Sequence, residues 1–92
     1  MSLLVEKYRQ KLITEILLAR TEEEVKKFCD TAMENVEQNK GKGPVLARFV
    51  NKLEEDLEGF NPRTKNVQQW SNIQTARSYI GIIKQRLSTL LH

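Results

Sequence analysis

Ile73, Ala76, Ile80, Ile83, Leu87 and Leu90 recur at alternating steps of three and four residues. That spacing draws one continuous apolar stripe along a helix and cannot keep to one face of a strand. The same period returns in three earlier stretches. Val5, Tyr8, Leu12, Ile16 and Ala19 form one face; Val25, Phe28, Cys29, Ala32, Met33 and Val36 a second; Leu46, Phe49, Val50, Leu53 and Leu57 a third. Four amphipathic segments of similar length, each with one face to hide, predict an all-α four-helix bundle.

The breaks between the stripes set the boundaries. Ser2 is a good N-cap for the first helix. Thr21 and Glu24 have the spacing of a capping box, and Glu22 and Glu23 place negative charge where a helix start favours it. Asn39-Lys40-Gly41-Lys42-Gly43-Pro44 is the clearest turn, with Pro44 suited to a first helical position. Gly59 is placed to follow the third helix as a C′ glycine. Helices are therefore expected at about residues 3–19, 22–38, 44–58 and 67–91, and the short links predict an antiparallel up-down order in a single domain, 1–92.

The last helix carries one complication. At about 100° per residue, Val67 and Trp70 fall roughly 100–160° from the centre of the later stripe. Ser71 and Gln74 offer a second capping-box spacing. A turn or short helix over 62–69 and a kink or fresh start near Ser71 are thus expected. A straight helix from Pro62 would be about 45 Å long and would overhang its partners.

Charge comes in blocks: +2 over residues 1–20, −4 over 21–39, +4 over 40–52, −4 over 53–60 and +5 over 61–92, the last without a single acid. The third helix carries Arg48 near its start and Glu54, Glu55, Asp56 and Glu58 at its end, against its dipole, so basic neighbours in space are expected. Up-down topology predicts an acidic pole holding Glu22, Glu23, Glu24, Glu54, Glu55, Asp56 and Glu58, with Arg20, Arg63 and Lys65 as counter-charges. A basic pole would hold Lys7, Arg9, Lys40, Lys42, Arg48, Lys84 and Arg86.

There is little raw material for catalysis. The one histidine, His92, stands last, and the one cysteine, Cys29, lies within an apolar stripe. A histidine triad or a histidine-containing metal set has no second histidine to draw on, and the Glu-x-x-His pattern of di-iron bundles is missing. Consecutive carboxylates on a helix point to different sides, which makes the acidic runs poor cation cages. No catalytic residue, cofactor or metal is assigned, and the chain is expected not to be an enzyme. One cysteine permits no internal disulfide, no apolar run reaches membrane-span length and no signal-peptide pattern opens the chain, so a cytoplasmic protein is expected.

Three functional classes stay open. Leu17, Leu18 and Ile82 are apolar off the main stripes, Gly81 interrupts a helix, and Tyr79 stands beside them, which marks a candidate interface for a protein partner or a homodimer. Lys40, Lys42, Arg48, Arg77, Lys84 and Arg86, with the neutral-polar residues of the acid-free segment, are candidate anion or nucleic-acid contacts. Gly41-Lys42-Gly43 before a helix start resembles an anion nest but lacks the pattern of a phosphate loop. A small molecule held between helices near Trp70 is the third class.

Overall fold

The computed structural model describes the backbone of residues 2–40 and 44–91, and the side chains of residues 6–38 and 44–87. The turn at 41–43, His92 and the side chains of Leu3, Val5, Lys40, Lys42 and Leu90 lie outside the described residues. The elements are α1 (Ser2–Leu18), α2 (Glu22–Lys40), α3 (Pro44–Glu58), a 3-10 turn (Pro62–Thr64) and α4 (Val67–Leu91). Each helix packs against the other three, and the described residues include no strand. The all-α four-helix bundle follows as expected.

The core is assembled from the stripes. Leu12, Ile16 and Ala19, then Val25, Cys29, Ala32, Met33 and Val36, then Leu46, Phe49, Val50, Leu53 and Leu57, and finally Ile73, Ala76 and Ile80 are buried in one cluster. Ile13 and Leu17, apolar outside the main face of α1, are partly buried against the same cluster, because α1 touches all three other helices. Each fully buried aliphatic or aromatic side chain contributes about 1.5–3 kcal/mol, which is what holds the bundle against its chain entropy.

Side-chain contacts fix the directions. Thr75 donates to Glu22 at 3.5 Å and Tyr79 to Asp30 at 2.6 Å, so α4 runs beside α2 in the same direction. Glu58 shares a groove with Gln74, whereas Glu54 is joined to Lys84, so α3 and α4 run antiparallel. Chain neighbours therefore alternate, while α4 is flanked by α2 on one side and α3 on the other.

Thr21 caps α2 as its sequence predicts: the Glu24 N–H donates to Thr21 Oγ1 at 3.1 Å. Glu24 returns the bond one residue further back, its Oε1 accepting from the Arg20 N–H at 2.8 Å. The fresh start at Ser71 does not occur. Asn66 and Gln69 form a reciprocal capping box instead, Asn66 Oδ1 accepting from the Gln69 N–H at 2.7 Å and Gln69 Oε1 from the Asn66 N–H at 3.1 Å. From there α4 runs unbroken through Ser71 for 25 residues. It outruns the 19 residues of α2 and the 15 of α3. In its first turn Val67 is 88% exposed, whereas Trp70 packs partly buried against the core.

α3 ends at Glu58 as expected, and the Gly59 N–H donates to the carbonyls of Glu55 and Asp56 at 3.1 and 3.2 Å. Gly59 does not take the left-handed conformation, and a Cβ there would meet only those two carbonyl oxygens at 3.5 Å. Glycine is not required at this helix end.

Asn72, 2% exposed, fastens one corner of the bundle. Its Nδ2 donates to the Ala19 carbonyl at 2.7 Å, just past the end of α1 where helical carbonyls lack intrahelical partners. Its Oδ1 accepts from Gln68 Nε2 at 2.9 Å. Sequence periodicity gave no sign of this residue's role.

Candidate functional site

The outward face of α4 has an unusual composition for so charged a chain. Taking Ser78 as the centre, Val67, Ser71, Gln74, Ile82 and Gln85 all fall within about 40° of it on the helical wheel. Apart from Ile82 and Val67 they are small or neutral-polar, and every one of the six is exposed. No charged residue lies on this ridge. Charge dominates the exposed positions of α2 (Glu22, Glu23, Lys26, Lys27, Asp30 and Glu34) and α3 (Arg48, Lys52, Glu55 and Glu58), and makes up half of those described on α1 (Glu6, Lys7 and Lys11).

Two open grooves border the ridge. The one toward α3, about 290 Å³, is lined by Glu54, Glu58, Gln74, Arg77 and Ser78. The one toward α2, about 440 Å³, is lined by Glu22, Lys26, Gln74, Thr75, Ser78, Tyr79, Ile82 and Arg86. Trp70 lines neither; it packs partly buried against the core, so these openings are not the site expected beside it.

The acid-free character of the last segment has its explanation in these flanks. Lys84 Nζ lies 2.8 Å from Glu54 Oε1, which raises the lysine's pKa through that hydrogen bond and charge. Arg77 shares its groove with Glu54 and Glu58, and Arg86 shares the other with Glu22. On the far side of α3, Arg9 Nε meets Asp56 Oδ2 at 2.7 Å. Glu54, Asp56 and Glu58, three of the four carboxylates that oppose the α3 dipole, thus have cations beside them in space, as expected. The two-pole arrangement is corrected by the same contacts: Arg9 and Lys84, assigned to a basic pole, reach the acidic end of α3.

The candidate interface residues separate. Leu17 is packed against the core, and Leu18 on α1 is 72% exposed and lines neither groove. Ile82, 47% exposed, lies on the ridge, with Gly81 at its edge and open space around the position of a Gly81 Cβ. Tyr79 is partly buried on the α2 flank, its hydroxyl committed to Asp30, and that hydrogen bond with the adjacent carboxylate charge pushes its pKa up to about 12. Among the candidate cations, Arg48, Arg77 and Arg86 are exposed, Lys84 is paired, and the side chains of Lys40 and Lys42 lie outside the described residues. The Cys29 thiol is buried and its pKa is raised to about 12, first by burial and then by the charge of Asp30, so it is held as the unreactive thiol. Among the described residues no helix is long and apolar enough to cross a membrane, and no cluster of metal-ligating side chains is present.

No protein-family model, no curated protein and no solved structure matches the chain.

Proposed function

We propose that the chain is a non-enzymatic protein-interaction module that self-associates. The observation that carries this reading is the uncharged outward ridge of α4, which holds two of the three large apolar side chains exposed among the described residues, Val67 and Ile82. Interface centres are depleted in charge, and a row of six exposed positions without a charge stands apart in a chain with 29% charged residues. The Cys29 thiol is buried, and the Tyr79 hydroxyl is bonded to Asp30. A cytoplasmic setting fits a chain whose single cysteine is a free thiol.

Nucleic acid is the second reading, favoured by the cations of α4. The positions of Glu54 and Glu58 beside Arg77 and Lys84, and of Glu22 beside Arg86, weigh against it, because a phosphate approaching these cations also approaches carboxylates. The two readings separate in one series. Self-association gives a mass that rises with protein concentration, whereas nucleic-acid binding gives an affinity that falls steeply with salt and weakens with Arg77→Glu. A monomer at every concentration, together with tight salt-sensitive binding to an oligonucleotide, would replace the first reading with the second.

A further inference from the structure

We draw no further inference here: the strongest candidate, the uncharged outward ridge of α4 with the two grooves that border it, has charged side chains of both signs along each flank, Glu22, Lys26 and Arg86 toward α2 and Glu54, Glu58 and Arg77 toward α3, and nothing in the structure shows what covers it.

Discussion

Replacing Asn72 by leucine isolates the hydrogen bond that ties the start of α4 to the end of α1. Leucine keeps the heavy-atom count and branching of asparagine but is the larger side chain, so a modest overpacking cost is added. The main loss is that of the donor which Asn72 Nδ2 supplies to the Ala19 carbonyl at 2.7 Å. Ala19 is itself buried, and leaving such a carbonyl unpaired costs about 1–3 kcal/mol. A chain of 92 residues has an unfolding entropy of about 190 cal/mol/K, so the melting temperature is expected to fall by roughly 5–15 °C. Asn72→Ala adds a void and brings the loss to about 2–4 kcal/mol. Gln68→Ala, which only opens Asn72 Oδ1 to water, is expected to cost no more than about 0.5 kcal/mol. Thermal and urea unfolding followed by circular dichroism measure all three. An Asn72→Leu protein as stable as the parent, with Asn72→Ala little worse, would refute the view that this bond fastens the corner.

Other outcomes follow from single residues. Gly81→Ala, mid-helix with open space where the Cβ would stand, is expected to stabilise the fold by about 1 kcal/mol in thermal unfolding; a loss would show an unrecognised constraint there. Gly59→Ala is expected to be neutral or to gain about 0.4–1 kcal/mol, because its backbone is not left-handed. Tyr79 is expected to titrate near pH 12 in a Tyr8→Phe background and closer to 10 with Asp30→Asn, read from tyrosinate absorbance. Because its pKa is raised on folding, the Tyr79 contribution is whole below about pH 10 and is lost as pH rises from 10 to 12. Cys29 is expected to resist alkylation in the native protein and to react only as fast as the chain opens; rapid labelling at neutral pH would contradict its burial.

The bundle was legible because its core is a matter of period. Leu12, Ile16, Phe49, Leu53, Ile73 and Ile80 are buried where steps of three and four place them. Helix starts governed by one local side chain, such as Thr21, were legible too. The start of α4 was harder: two capping patterns compete there. Asn66 with Gln69 caps the helix in place of Ser71 with Gln74, and the turn it adds lays Trp70 partly against the core while Val67 faces solvent. Phase alone also cannot say which helices lie side by side. Leu17 and Leu18 looked equivalent in sequence, yet one packs on the core and the other points to solvent. The charge blocks made sense only once α2 and α3 were seen flanking α4, where Glu54 meets Lys84 and Glu22 meets Thr75.

The most direct measurement of the central claim is the molar mass in solution as a function of concentration, by light scattering after gel filtration, for the parent chain and for Ile82→Lys. A mass rising from 10.7 kDa toward twice that value in the parent, with the variant lagging by about tenfold in concentration, is the predicted result. A parent chain that stays at 10.7 kDa throughout would contradict it.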